Sequence, residues 1–217
     1  MTELVLVRHG QASFGAEDYD RLSPLGHQQA AWLGHYFREH GLTFDRAFNG
    51  ALRRHRETAA GIASVHPLPA LVEDARFDEL HYDALEAEYL RATGADAPSS
   101  RAEFLAHFPE MFEQWARGDI GSGAERYDAF TARVTMGLQE ALRPGERTLI
   151  VTSGGVIGAA IAGILGLNAR ATADLLINIH NASVHRLVHE AGDLRLALFN
   201  GSPHLEGQAR AHARTYI

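Results

Sequence analysis

Short aliphatic runs alternate with helical patterns in the first third of the chain. Leu4 to Val7 is a continuous aliphatic run, which is typical of a strand buried on both faces of a parallel sheet. Ser23-Pro24 predicts the start of a helix, and apolar residues then recur at helical spacing as far as Gly41. A short strand is predicted near residues 46–48, followed by a helix over residues 52–65.

The same alternation continues in the last third. The pattern predicts a helix over residues 126–142, a second buried strand over 148–152 and an apolar helix over 156–165. Two further strands within residues 183–199, joined by a turn at Ala191-Gly192-Asp193, predict a closing β-hairpin. We therefore predict an α/β fold, a three-layer α/β/α sandwich with a mostly parallel central sheet, as a single domain over residues 1–217.

Residues 76–125 differ from the rest because they are rich in acidic and aromatic residues. Loop-like breaks at residues 95–100 and 118–123 divide them into helical stretches. We predict a helical insertion over the active-site edge of the sheet, where it would act as a lid. Plain helical packing without a lid role explains the same pattern, and this alternative stays open.

The composition is that of an ordinary globular protein, and it excludes several function classes. The chain has 217 residues, of which 46% are hydrophobic and 22% charged, a balance that supports a buried core. A formal net charge of −7 argues against broad attraction to nucleic acid or to an anionic membrane. The absence of cysteine and lysine excludes disulfides, thiolate metal sites and Schiff-base chemistry.

The apolar stretches of the sequence are short. The run from Leu4 to Val7 has no basic segment before it and is too short for a signal peptide. Residues 156–167 are fewer than the roughly 20 residues that span a bilayer. We therefore expect a cytoplasmic protein with no nucleic-acid or membrane partner, and we leave homodimerisation open.

Three short motifs carry candidate chemistry. Arg8-His9-Gly10 follows the first buried strand, at the edge where α/β sheets bind ligands. Residues 52–59 carry three arginines at the start of a helix, and one of them could complete a phosphate clamp, although a solvated helix face is the plainer interpretation. Phe77-Asp78-Glu79-Leu80 offers Glu79 as a general acid, or as an ordinary surface residue.

Taken in order, these motifs resemble the histidine phosphatase superfamily, also called the phosphoglycerate mutase-like family. Residues 22–30 are similar to its LTxxGxxQA segment, and residues 52–59 are similar to its LxRAxxTA helix. Residues 77–80 fall where the family keeps its acidic residue, and residues 181–184 and 200–205 resemble late segments of the family. The resemblance covers nearly the whole chain and rests on six stretches: residues 6–10, 22–30, 52–59, 77–80, 181–184 and 200–205.

The resemblance implies a metal-independent phosphatase that hydrolyses a small phosphomonoester through a phosphohistidine. His9 would attack phosphorus, and Glu79 would protonate the leaving oxygen. Arg8 and Arg54 would hold the phosphate oxygens. Neither a metal nor an organic cofactor is implied. A phosphoglycerate mutase-type phosphotransferase is the less favoured enzyme hypothesis, because its phosphoenzyme must survive until the substrate rebinds.

One position departs from the family pattern. Where the resemblance implies a second histidine, in the stretch VxHGG, this sequence has Ser153 followed by Gly154. We expect the Ser153 hydroxyl and the Gly154 backbone to contact the phosphate. The missing imidazole leaves a second hypothesis, a phospholigand-binding protein with impaired catalysis. Four other histidines are candidates to compensate: His55, His81, His180 and His204.

Other kinds of site have weaker support in the sequence. His180, His185 and His189 are close together, but no carboxylate stands at a diagnostic metal-ligand spacing from them. Ser153 does not lie in the G-x-S-x-G turn of serine hydrolases. The sequence therefore favours a phosphate site around His9, with no metal.

Overall fold

A mixed β-sheet with helices on both faces forms the centre of the fold. The computed structural model describes residues 2–13 and 20–216, and these contain six strands in one sheet. The strands are β1 (Thr2–Arg8), β2 (Arg46–Asn49), β3 (Leu71–Glu73), β4 (Arg147–Thr152), β5 (Val184–Glu190) and β6 (Asp193–Gly201). Their order across the sheet is β3-β2-β4-β1-β5-β6. The strands β3, β2, β4 and β1 run parallel to one another, and β5 pairs antiparallel with both β1 and β6.

Seven α-helices lie in the same described residues. They are α1 (Pro24–Glu39), α2 (Arg53–Ala63), α3 (Tyr82–Thr93), α4 (Arg101–Arg117), α5 (Tyr127–Ala141), α6 (Gly154–Leu165) and α7 (Ala169–Leu176). Ser23 caps α1 as predicted, because its Oγ accepts a hydrogen bond of 3.0 Å from the Gly26 backbone N–H. Across this part of the chain, each helix lacks the combination of length and apolar content that crossing a bilayer requires.

Alternate residues of the central strands face opposite helical layers. In β1, Leu4 and Leu6 pack in an apolar cluster with α3 to α7. Val5 and Val7 pack in a second cluster with α1 and α2. Because successive side chains of a strand point to opposite faces, a strand between two helical layers must be apolar throughout. The predicted three-layer α/β/α sandwich with a mostly parallel sheet is confirmed.

Three elements differ from the sequence-based expectation. The structure adds β3 and α7, which the hydrophobic pattern did not predict. All three residues of β3 are exposed, and its two aliphatic residues, Leu71 and Val72, are too few for the kind of run that marked β1. The helix α6 begins at Gly154, two residues before the predicted start. The hydrophobic pattern did not include these two residues because both are glycines, which have low helix propensity. The first turn of α6 therefore offers its backbone N–H groups to the edge of the sheet.

The aromatic residues of segment 76–125 pack against one another. The ring centroids of Phe104 and Phe108 are 5.4 Å apart, and those of Phe108 and Phe112 are 5.7 Å apart. Trp115 is buried, and its Nε1 donates a 2.7 Å hydrogen bond to the Glu125 carbonyl. These side chains belong to the apolar cluster on this face of the sheet. The lid role of the segment stays a prediction.

Candidate active site

The carboxyl ends of three neighbouring parallel strands bring the sequence-predicted residues together. In the register of β1 and β4, Arg8 pairs with Thr152, so the next residues along, His9 and Ser153, leave the sheet side by side. The strand β2 pairs with β4 on its other side, and the following helix α2 carries Arg54 in its first turn. Such an edge is where open α/β sheets bind their ligands.

The imidazole of His9 is buried and held in one orientation. Its Nδ1 lies 2.7 Å from the Gly10 carbonyl oxygen, which can only accept, so Nδ1 carries the proton. Its Nε2 accepts a hydrogen bond from Arg54 Nε at 3.2 Å. Burial, together with the charges of Arg54 and Arg8, holds the pKa of His9 well below its ordinary value. His9 is therefore neutral, and its Nε2 carries the lone pair that a nucleophile uses, which in this structure accepts the Arg54 hydrogen bond.

Two arginines flank this histidine, and each is less than a tenth exposed. A terminal nitrogen of Arg8 donates to the Ile179 carbonyl. The Nη1 of Arg54 donates to Asp20 Oδ1 at 2.6 Å. These contacts hold both planar guanidinium groups at the sheet edge, and the fork of a guanidinium suits the oxygens of a phosphate.

The carboxylate of Glu79 lies at the first turn of α6. The backbone N–H of Gly155 donates to its two oxygens at 3.0 and 3.3 Å, and that of Leu80 donates at 3.0 Å. A Cβ on Gly154 would lie 3.7 Å from Arg8 Nε and 4.0 Å from Glu79 Oε2. The structure therefore brings Arg8, Glu79 and Gly154 to a common point.

Two residues that the sequence analysis did not single out hold the loop that carries Glu79. Arg133 of α5 donates through Nη1 to the carbonyls of Arg76 and Asp78, both at 2.8 Å. Thr152, the last residue of β4, donates to the Phe77 carbonyl at 2.6 Å. A lone arginine in a helix carries no sequence signal for such a role, because arginines mostly lie on solvated faces.

Ser153 and His55 are fully buried and hydrogen-bonded to each other. The distance from Ser153 Oγ to His55 Nε2 is 2.6 Å. The His55 ring lies 5.7 Å from that of His9, centroid to centroid, and its Nδ1 is 3.7 Å from Asp78 Oδ1. Of the four histidines considered as substitutes for the missing imidazole, His55 is thus brought beside both His9 and Ser153.

The other three candidates have different surroundings. His81 lies exposed at the start of α3. His204 is buried beside a separate cleft that Trp32 also lines. The ring of His180 packs on Tyr216, with centroids 4.9 Å apart, and the pKa of His180 is lowered by burial and by nearby arginines.

Of the clustered histidines His180, His185 and His189, His185 makes two hydrogen-bond contacts within the fold. His185 Nε2 is 3.0 Å from Ser183 Oγ, and its Nδ1 accepts a hydrogen bond from the Asn200 backbone N–H at 3.2 Å. Among residues 2–13 and 20–216, no three histidine, aspartate or glutamate side chains are grouped so as to hold a metal ion. Both ring nitrogens of His185 are thus engaged within the fold.

A cleft of about 500 Å³ opens beside the Glu79 loop. It is lined by His81, by the segment 123–126 and by two alanines of α3 and α5. Glu125 in this segment pairs with Arg133 at 2.7 Å, which connects the cleft wall to the loop described above. None of the described residues that line this cleft is one of the predicted site residues.

Comparison with known proteins identifies a family over most of the chain. Residues 4–202 match the family model of the histidine phosphatase superfamily (branch 1). The "Probable phosphoglycerate mutase GpmB" of Erwinia tasmaniensis is 30% identical over 198 residues, covering 88% of this chain and 86% of that protein. The metal-independent phosphoserine phosphatase of Arabidopsis thaliana is 25% identical over 193 residues, and the match covers 85% of this chain and 76% of that protein.

Two further matches extend this result. The 2,3-bisphosphoglycerate-dependent phosphoglycerate mutase 1 of Nitrosomonas europaea is 38% identical over 91 residues, so the match covers 38% of this chain and 39% of that relative. The crystal structure of phosphoglycerate mutase from Bacillus anthracis superposes with a TM-score of 0.71 at 20% identity, covering 93% of this chain and 94% of that one. The structural match supports the fold.

Proposed function

Because the chain belongs to branch 1 of the histidine phosphatase superfamily, we propose that it hydrolyses a small phosphomonoester through a phosphohistidine on His9. Members of this superfamily are phosphatases or mutases. One observation carries the proposal: buried His9 is neutral, its Nε2 contacts Arg54, and Arg8 and Glu79 both lie beside Gly154 at the same sheet edge.

In the first step, the Arg54 Nε–H turns from His9 to a phosphate oxygen, and the freed lone pair of His9 Nε2 attacks phosphorus. The P–N bond forms as the bond from phosphorus to the ester oxygen breaks, and its electron pair leaves with that oxygen. Glu79, in its acid form, gives the oxygen a proton, so the alcohol departs neutral. The Gly10 carbonyl, which accepts from Nδ1–H, stabilises the positive charge that develops on the imidazole.

In the second step, water attacks phosphorus and orthophosphate leaves. The Glu79 carboxylate takes a proton from the water as the new P–O bond forms. The P–N bond breaks and returns its electron pair to Nε2 of His9, so both groups end as they began. Throughout, Arg8, Arg54 and the N-terminus of α6 face the charge on the phosphoryl oxygens, which is the main contribution a protein makes to phosphoryl transfer.

Hydrolysis is favoured over the two alternative functions. A protein that only binds a phosphorylated ligand needs neither a nucleophile nor an acid, yet His9 and Glu79 are both present and ordered in the pocket. The match to the mutase-named protein of Erwinia tasmaniensis keeps a phosphotransferase as the second candidate. The match to the plant phosphoserine phosphatase supports hydrolysis and makes phosphoserine the first natural compound to test.

A phosphatase assay with p-nitrophenyl phosphate and a metal chelator tests this proposal. We expect turnover in the wild type and a loss of at least about 10³-fold in His9→Ala, because the nucleophile is gone. The exposed His212→Ala is the matched control and should keep wild-type turnover. Turnover that persists in His9→Ala, or that requires added metal, would contradict the phosphohistidine route. Interconversion of phosphoglycerate isomers without net hydrolysis would favour the mutase.

A further inference from the structure

The mechanism above leaves unused the buried polar pair that His55 and Ser153 form at the edge of the pocket. Both side chains have no exposed surface, and their hydrogen bond of 2.6 Å joins α2 to the end of β4. We propose that His55 is a second imidazole of the phosphate pocket, which acts on the bound phosphate through the hydroxyl of Ser153. The inference deepens the proposed function and rests on it.

The backbone is shaped to admit this imidazole. A Cβ on Gly50 would lie 2.2 Å from His55 Nδ1 and 2.7 Å from Asp78 Oδ1, so a side chain at this position would displace both. The backbone N–H of Ala51 donates to the same Asp78 oxygen at 2.6 Å. Burial raises the pKa of Asp78, but the neighbouring His55 and the backbone N–H groups of Ala51 and Leu52 outweigh burial and lower the pKa. His55 therefore lies between a fixed carboxylate and Ser153.

The direction of the hydrogen bonds follows from counting protons. A serine hydroxyl has one proton, so Ser153 can donate to a phosphate oxygen only when His55 Nε2 donates to Ser153 Oγ. With a phosphate bound, His55 would carry both ring protons, one directed to Asp78 and one to Ser153. The charge of the imidazolium then reaches the phosphate through the hydroxyl, as a charge-assisted hydrogen bond.

The charges around His55 fit a role that depends on the ligand. Burial and the Arg54 charge lower the pKa of His55, while Asp78 and Glu79 oppose this effect. A phosphate dianion adds negative charge at the same pocket and favours the protonated imidazole. His55 is thus a positioning residue, since it acts on the phosphate through Ser153 rather than by direct contact.

Exchanging the two side chains tests this role. In Ser153→His alone, the new imidazole would meet His55, whose Nε2 is already 2.6 Å from the serine oxygen. We expect His55→Ala and Ser153→His each to lower kcat/KM for p-nitrophenyl phosphate by about 10²-fold, the usual loss of one transition-state donor. The double variant His55→Ala/Ser153→His should regain at least about 10-fold over either single variant, because it restores one imidazole in the space the other left.

A merely structural role for His55 predicts the opposite pattern. The double variant would then be no better than the weaker single variant, and this outcome would overturn the inference. The matched control is His66→Ala, which removes another buried imidazole, packed near Phe37 and Phe44. It should leave kcat/KM unchanged. If His55→Ala does not fold, Ser153→Ala keeps the His55 packing, and a loss of less than about 2-fold there also overturns the inference.

The same variants separate this inference from the proposed function. Wild-type turnover that does not depend on His9 refutes the phosphohistidine mechanism by itself. The affinity for inorganic phosphate, measured by calorimetry in the four proteins, then decides the inference. Weaker binding in both single variants with recovery in the double variant supports it, whereas equal affinities in all four overturn it.

Discussion

At the scale of single residues, the protonation of His9 controls the proposed chemistry. Burial and the charges of Arg54 and Arg8 lower its pKa, so the imidazole stays neutral through the neutral range. We predict that an NMR titration places the His9 midpoint below the ordinary value of about 6.5. In Arg54→Gln, which removes one of the two charges, the midpoint should rise. A wild-type midpoint at or above the ordinary value would contradict this account.

The sequence predicted most single residues of the candidate site but not their partners. His9, Arg54 and Glu79 could be predicted because each lies in a motif at a strand or helix end, and the structure brings them to one pocket. The contact of His55 with Ser153 joins residues 98 positions apart and depends on how α2 is rotated against the sheet. No local pattern records such a rotation. No local pattern indicates the role of Arg133 either, because it hydrogen-bonds to backbone carbonyls of another segment and to the Glu125 carboxylate.

At the scale of elements, the first turn of α6 determines where Glu79 lies. A Cβ on Gly155 would be 2.2 Å from Glu79 Oε1, whereas Gly163 of the same helix has no neighbouring atom within 4 Å of such a Cβ. We predict that Gly155→Ala lowers kcat for p-nitrophenyl phosphate by about 10-fold or more, because it displaces the acid.

The matched variant Gly163→Ala should keep wild-type kcat. It should also raise the free energy of unfolding by up to about 1 kcal/mol, because alanine is the better helix former. Urea unfolding and steady-state kinetics of the two variants measure both effects. Equal kcat values for Gly155→Ala and Gly163→Ala would show that Glu79 does not depend on the α6 turn.

Elements with their own local signal were predictable, and those without one were not. The aliphatic run of β1 and the Ser23 cap of α1 both lie where the pattern placed them. The predicted turn of the β5–β6 hairpin contains Ala191 and Gly192, with φ of 53° and 94°, which suits a tight two-residue connection. The exposed strand β3 has no such local signal. It is defined by its pairing with β2, a contact between separate segments that a local pattern does not show.

At the scale of the whole molecule, buried histidines make the fold sensitive to acid. Burial, with help from nearby arginines, lowers the pKa of His185 and of His204 to about 3 in the folded state. In the unfolded chain both would titrate near 6.5. The unfolded state therefore binds more protons between these values, and the free energy of unfolding falls as the pH falls from about 6.5 toward 3.

Each of these histidines contributes a slope of about 1.4 kcal/mol per pH unit in that window. We predict that His204→Leu reduces the slope between pH 6 and pH 4 by about this amount, as measured by urea unfolding. Leucine is a fitting replacement because both ring nitrogens of His204, within the described residues, lack a hydrogen-bond partner. The exposed His212→Leu should leave the slope unchanged, and equal slopes for His204→Leu and wild type would refute the prediction.

Trapping the phosphoenzyme tests the central claim most directly. The protein is mixed with radiolabelled p-nitrophenyl phosphate, quenched within milliseconds in alkali, and the label remaining on the protein is counted. We predict a label that survives alkali, is released by acid and is absent from His9→Ala, as expected of a phosphohistidine on His9. A label that resists acid and is lost in alkali would place the phosphoryl group on a serine, and turnover with no labelled protein would point to direct attack by water; either result would contradict the mechanism.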